Sequence, residues 1–205
     1  MISFSDYLRK IFKGVLDYFA HLFLKIGISP NALTLIGLGG NLVAGIIIAL
    51  GHMRIGGMIA LIMGPLDAVD GCMARIQGSS SSFGGFLDSI TDRYSELSIL
   101  TGLLIYFYKA SDYFACLLVF AAVVGSVLVP YIRARGESLG YSVKSGILTR
   151  VERYLVIVPA LLLNKAEIGL WIIAIFGNLT ALQRIWQVWS QTKLLDKKQN
   201  KFGED

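Results

Sequence analysis

The sequence predicts an all-α integral membrane protein. About six transmembrane helices are expected, preceded by an N-terminal amphipathic helix lying in the membrane interface. Three observations predict this class. Hydrophobic residues make up 55% of the 205 and the mean hydropathy is +0.63, too apolar for an ordinary soluble domain. Several segments approach the roughly 20 apolar residues that a helix needs to cross a bilayer. Between those segments the basic residues are strongly one-sided. The expected organisation is an amphipathic juxtamembrane helix over residues 1–26, a six-helix domain over 27–190 and a charged cytoplasmic tail over 191–205.

Residues 3–25 alternate apolar side chains (Phe4, Leu8, Ile11, Phe12, Val15, Leu16, Phe19, Leu22, Phe23) with Arg9, Lys10, Lys13 and Lys25. That pattern suits a helix in the interface with its apolar face down. Charges recur throughout it, so no cleavable signal peptide is expected. Ser29-Pro30 punctuates the chain, and the uncharged run from Asn31 to about Gly51 reads as the first span. Gly37, Gly40, Ala44 and Gly45 give it a face for close helix packing. Asn31 and Thr34 stand at its cytoplasmic mouth, where simple helix capping is the plain alternative to a site role. A His52-Met53-Arg54 turn leads to a second span at about 55–76, which Gly64-Pro65 is expected to bend. The third span covers about 83–107, and the fourth, about 112–136, ends in Pro130-Tyr131-Ile132-Arg133-Ala134-Arg135. After a polar stretch, Gly136 to Ser145, come a fifth span at about 147–163 and a sixth at about 166–190. The tail from Lys193 is expected to fray. No internal repeat or second domain is visible.

If the spans alternate, all of the 19 lysines and arginines except Arg54, Lys109 and Lys165 fall on one side. Such a bias places that side, with both termini, in the cytoplasm. The net charge of +5 therefore flanks helices and suits an anionic membrane face and a phosphorylated substrate, not nucleic acid. Cys72 and Cys116 lack C-x-x-C spacing, so neither a zinc site nor a disulfide framework is expected, and both read as packing residues. His21 and His52 have no ligand spacing and read as interfacial packing.

The chemistry concentrates between Asp67 and Asp92. Asp67 and Asp70 are three apart and Asp88 and Asp92 four apart, so each pair shares one face of its helix. The Gln77-Gly78-Ser79-Ser80-Ser81-Ser82 run between them reads as a loop. A helical hairpin closed there brings all four carboxylates together. Ionisable groups inside apolar segments are costly and mark function by default. Clustered acids repel unless a cation neutralises them, and hard oxygen ligands suit Mg²⁺ or Mn²⁺. The bland alternative is a structural ion-pair cluster with Arg75 and Arg93.

Asp67-x-x-Asp70-Gly71-x-x-Ala74-Arg75, eight residues, then Gly84-x-x-x-Asp88-x-x-x-Asp92 resembles the signature of the CDP-alcohol phosphotransferase family at every fixed position. The resemblance covers about Gly27 to Leu163. It implies an enzyme in which Asp67, Asp70, Asp88 and Asp92 form the metal site. Three of them grip the diphosphate through one or two ions, and Asp92 serves as general base. It also implies that Asp70, Gly71, Ala74, Arg75 and Gly84 contact the cytidine diphosphate, with Asn31 and Thr34 beside them. Read physically, Gly71 and Gly84 let a nucleotide approach the helix backbone; taken alone they also suit close helix packing.

The flanking residues resemble one branch of that family, the phosphatidylinositol phosphate synthases. Phe86-Leu87-Asp88-Ser89-Ile90-Thr91-Asp92-Arg93-Tyr94-Ser95-Glu96 is similar to that branch's F-L-D-S-x-x-D-R-x-S-[DE]. Tyr131 to Glu137 and Gly146 to Arg153 resemble its Y-[IV]-K-A-R-A-E and G-x-x-E-R-x-E-R, departing at Arg133, Gly136 and Thr149. The resemblance implies transfer of a phosphatidyl group from CDP-diacylglycerol, or from CDP-archaeol, to a phosphorylated polyol. Inositol 1-phosphate is the expected acceptor and CMP the leaving group. Arg133, Arg135, Arg150 and Arg153 are candidates for the acceptor's phosphate, or else ordinary positive-inside flanks. Family members are homodimers, and the glycine-rich third and apolar fourth spans are the candidate interface. The rival readings are a phosphatidylglycerophosphate synthase using glycerol 3-phosphate, a prenyltransferase of the UbiA kind, and a membrane cation carrier.

Overall fold

The computed structural model describes residues 11–78, 81–143 and 146–202. Phe4, Leu8, Arg9 and Lys10 of the expected interfacial helix, and Ser79 and Ser80 of the loop, lie outside the described residues. Seven α-helices and no strands occur among the described residues: α1 Lys13–Lys25, α2 Pro30–Ala49, α3 Met53–Ile76, α4 Ser82–Lys109, α5 Tyr113–Ser138, α6 Arg150–Leu162 and α7 Ala166–Phe202.

Four of them, α2, α3, α5 and the Ala166–Lys193 part of α7, are long and apolar enough to cross a membrane. The 28 residues of α4 suffice in length, but it carries Asp88, Asp92, Arg93 and Glu96 in its middle. The 13 residues of α6 reach only about 20 Å at 1.5 Å per residue, short of the roughly 30 Å hydrocarbon core. The expected count of six is therefore approximate. Pro65 stands inside α3, and the helix continues past it. The expected fraying at Lys193 is corrected: α7 stays helical to Phe202, because Leu, Lys and Gln dominate that stretch and favour helix. Lys193 Nζ also lies 3.9 Å over the Trp189 ring.

The chain divides into two compact units. In the first, α1 to α4 with Val158–Lys165, α2 packs on both α3 and α4, and α1 packs on α3. The sequence sets α1 up for this, since Leu16, Ala20, Phe23 and Leu24 recur at helical spacing. They close over Leu33, Leu66, Val69, Cys72 and Met73. Beside that stripe, Val15, Phe19 and Leu22 of α1 are exposed, as are Ile11 and Phe12 just before it. With Lys13, His21 and Lys25 also exposed on α1, the helix keeps the apolar and charged faces of an interfacial helix. Exposed Leu42, Val43 and Ile46 on α2 and Met58, Leu61 and Ile62 on α3 give the same lipid-suited exterior.

Small residues let the helices of this unit approach closely. A side chain at Gly45 would meet the carbonyl of Ser98, and one at Gly102 would meet the backbone of Gly45. At Gly102, in the third of the spans expected from the sequence, the close neighbour is thus a backbone of the same chain. Gly102→Ala should destabilise the protein by about 1–3 kcal/mol through overpacking against a backbone that cannot step aside. Gly39→Ala, where nothing lies within 4 Å, should not. Melting temperatures of the two variants in detergent check this.

The second unit comprises Tyr113–Ile157 and the helix from Ala166. Within it α5 packs against α7, and a side chain at Gly125 would meet the backbone of Gly177 and Asn178. Asn178 Nδ2 donates to Ala121 O across this interface (2.9 Å) and to Ala174 O in its own helix (2.7 Å). Glu152 reaches back over the start of α6: its Oε2 accepts from the Thr149 backbone N–H (2.5 Å) and from the Thr149 hydroxyl, which is the glutamate half of a capping box.

Candidate active site

Three helix ends build the acidic centre in the first unit. Ser29 caps α2, its hydroxyl accepting from Ala32 N (3.2 Å), with Pro30 as the first helical residue. Ser81 caps α4 in the same way, accepting from Gly84 N at 2.9 Å. Between them α3 ends at Ile76, and Gly78 takes the left-handed φ of +61° that turns the chain. With Ser29 as the cap, Asn31 and Thr34 are not needed for capping. Asn31 lies beside Gly84, its Oδ1 3.4 Å from where a Gly84 Cβ would sit.

One carboxylate oxygen from each of Asp67, Asp70 and Asp88 lies within 4.8 Å of the other two. The expected convergence therefore holds for three of the four acids, while Asp92 is not in that group. One turn beyond Asp88, it is 8% exposed, and its Oδ2 lies 3.7 Å from Arg93 Nη1. Asp70 is the most enclosed of the three, at 5% exposure. Its Oδ2 accepts from the Thr34 hydroxyl at 2.5 Å.

The three acids fit a divalent cation. Ligands on opposite sides of Mg²⁺ stand about 4.2 Å apart, twice the Mg–O distance of about 2.1 Å, close to the spread seen here. Each pair of carboxylates at such a distance repels by on the order of 3 kcal/mol at an effective dielectric constant of 20. That exceeds what one hydrogen bond offsets, so three ionised carboxylates call for a cation.

Among the motif's glycines, Gly84 is crowded, since a side chain there would come within 3.1 Å of Ser81 Oγ, while Gly71 leaves room. A side chain at Gly71 would meet nothing nearer than Arg75 Nη1, at 3.7 Å. Ala74 is half-buried one turn from Asp70, and Arg75 is exposed at the end of α3. The sequence offered no signal for Asp17 of α1, whose Oδ1 accepts from the buried Cys72 thiol at 2.9 Å, between Asp70 and Arg75 in the chain. The lone Cys72 thus does more than pack.

The four arginines named from the sequence lie in the second unit and differ from one another. Arg133 is exposed and paired with Glu137 at 2.9 Å along its own helix, the geometry of a flanking ion pair. Arg135 is exposed and Arg150 half-buried. Arg153 is 2% exposed, and its guanidinium donates to Leu148 O (3.2 Å). Arg184 of α7, 3% exposed, donates to Val129 O at 2.6 Å. Sequence reasoning counted Arg184 only as a flanking charge. Its signal was there to read: a charge inside an otherwise apolar run.

Residues 27–191 match the family described as CDP-alcohol phosphatidyltransferase. Among relatives, the archaetidylinositol phosphate synthase of Pyrococcus horikoshii is 36% identical over 181 residues, covering 88% of this chain and 94% of that one. Among solved structures, the phosphatidylinositol phosphate synthase of Mycobacterium tuberculosis with CDP-DAG bound superposes with a TM-score of 0.80 at 25% identity. That match covers 85% of this chain and 94% of the other. The same mycobacterial enzyme in complex with manganese and citrate also gives a TM-score of 0.80.

Proposed function

The chain belongs to the CDP-alcohol phosphatidyltransferase family, and from that premise we propose that it makes a phosphatidylinositol-phosphate-type lipid. The reaction transfers a phosphatidyl group from CDP-diacylglycerol to inositol 1-phosphate and releases CMP. CDP-archaeol is the corresponding donor if the membrane is built of archaeal lipids, as the name of the Pyrococcus relative implies for that enzyme. The convergence of Asp67, Asp70 and Asp88, with Asp92 one turn further along α4, carries the reading.

Bound to those three carboxylates, Mg²⁺ or Mn²⁺ neutralises the diphosphate and polarises its oxygens. The protein's own groups do the rest. Asp67, Asp70 and Asp88 hold the ion side of the site. Gly71, Ala74 and Gly84 keep the helix surfaces open to the nucleotide, with Asn31 and Arg75 at its edge. The acceptor hydroxyl attacks the phosphorus that carries the lipid, Asp92 takes the hydroxyl proton, and the phosphorus–oxygen bond to CMP breaks. Arg135, Arg150 and Arg153 are offered to the acceptor's phosphate, joined by Arg184; Arg133, held by Glu137, is the weakest of the set. Such cations suit a phosphorylated polyol better than a neutral alcohol.

The protein is a multi-pass membrane enzyme. Its acidic site and termini are proposed to face the cytoplasm, as the one-sided basic residues require, and its assembly is proposed to be a homodimer.

CMP release by the purified protein in detergent, with CDP-diacylglycerol and Mg²⁺, tests the reading. Turnover is expected with inositol 1-phosphate and not with glycerol 3-phosphate, free inositol or serine. Turnover with glycerol 3-phosphate alone would keep the metal site and replace the acceptor. Cation binding without any CMP release would favour a carrier.

A further inference from the structure

We propose that Thr34 is a positioning residue for the metal site: its hydroxyl orients Asp70, in place of the direct nucleotide contact that the family resemblance implies. The inference rests on the reading of Asp70 as a metal ligand. A threonine hydroxyl carries one hydrogen and has two acceptors in reach, Pro30 O at 3.0 Å and Asp70 Oδ2 at 2.5 Å. An ionised carboxylate is a stronger acceptor than a main-chain carbonyl. The hydrogen therefore goes to the carboxylate, and while it does so it cannot also be donated to a phosphate oxygen.

The placement suits an orienting role. Asp70 is 5% exposed and Thr34 is half-buried, on a different helix 36 residues away in sequence. The bond therefore ties the mouth of α2 to the acidic end of α3. Holding one carboxylate oxygen fixes the plane of the group and hence the aim of the other oxygen. Ser29 already caps α2, so the helix end does not depend on Thr34. Ligating carboxylates are commonly held by such outer partners, whose loss typically costs 10–100-fold in metal affinity.

The test is Mn²⁺ binding to purified protein in detergent without nucleotide or acceptor, following free Mn²⁺ by electron paramagnetic resonance. Thr34→Val keeps the shape and removes the hydroxyl; it should weaken Mn²⁺ binding by about 10–100-fold. Thr34→Ser restores the hydroxyl and should bind close to wild type. Thr34→Ala serves the same comparison should the valine variant fold poorly. Hydroxyl-free variants with wild-type Mn²⁺ affinity would overturn the proposal, decisively so if they lose affinity for CMP at saturating Mn²⁺, since the hydroxyl would then be a nucleotide ligand. Failure of the wild-type protein to bind Mn²⁺ would instead overturn the metal-site reading beneath it.

Discussion

Asp92→Asn should lower kcat by roughly 10²–10⁴-fold, the range that general-base catalysis contributes, with CDP-lipid binding largely intact. The amide matches the carboxylate in shape, so the packing around a side chain only 8% exposed is kept. What it loses is the ability to take a proton. Asp92 is not one of the three acids within 4.8 Å of each other, so the cation-holding group should survive the change. The contact to Arg93 is long, at 3.7 Å, and its loss is a small term. Steady-state CMP release alongside equilibrium binding of the CDP-lipid separates the two effects. Wild-type turnover would remove Asp92 from the chemistry. Loss of Mn²⁺ affinity would instead make it a fourth ligand, as the set of four read from the sequence has it.

Asp70→Asn should act on the other half of the reaction. Even outer partners of a metal ligand cost 10–100-fold, so removing the charge of the most enclosed ligand should reduce both Mn²⁺ affinity and turnover by more than about 100-fold. A second signature has the opposite sign. Without a cation, three crowded carboxylates repel one another, so the metal-free Asp70→Asn protein should melt at a higher temperature than metal-free wild type. Added Mn²⁺ should then raise the wild-type melting temperature and leave that of the variant nearly unmoved. A variant that melts lower without metal and still responds fully to Mn²⁺ would show that Asp70 serves packing and not the cation.

The placement of these effects in the chain shows which features are local. Membrane class is legible from composition, and the pairing of Asp67 with Asp70 and of Asp88 with Asp92 follows from helix geometry. Residues three and four apart share a face whatever the rest of the protein does. Ser29-Pro30 and Gly78 mark helix boundaries through backbone chemistry confined to a few residues. The signature, being a set of fixed separations, names the family and its reaction for the same reason.

Helix periodicity says which residues share a face, but it is silent on which faces meet. That Asp88 joins Asp67 and Asp70 while Asp92 stands outside them depends on how α4 lies beside α3, through a turn whose length alone leaves many registers open. Thr34 reaching Asp70 and Asp17 reaching Cys72 join residues 36 and 55 apart, and neither pair has a local signal. Gly45 reads as a close-packing residue in the sequence, but only the crossing of α2 and α4 shows that it meets Ser98 and Gly102 of the same chain. The arginines differ in the same way. Arg133 and Arg153 are alike as letters, yet one lies exposed against Glu137 and the other is enclosed. Burial is a sum over neighbours from distant parts of the chain, and it exists only once the helices have packed.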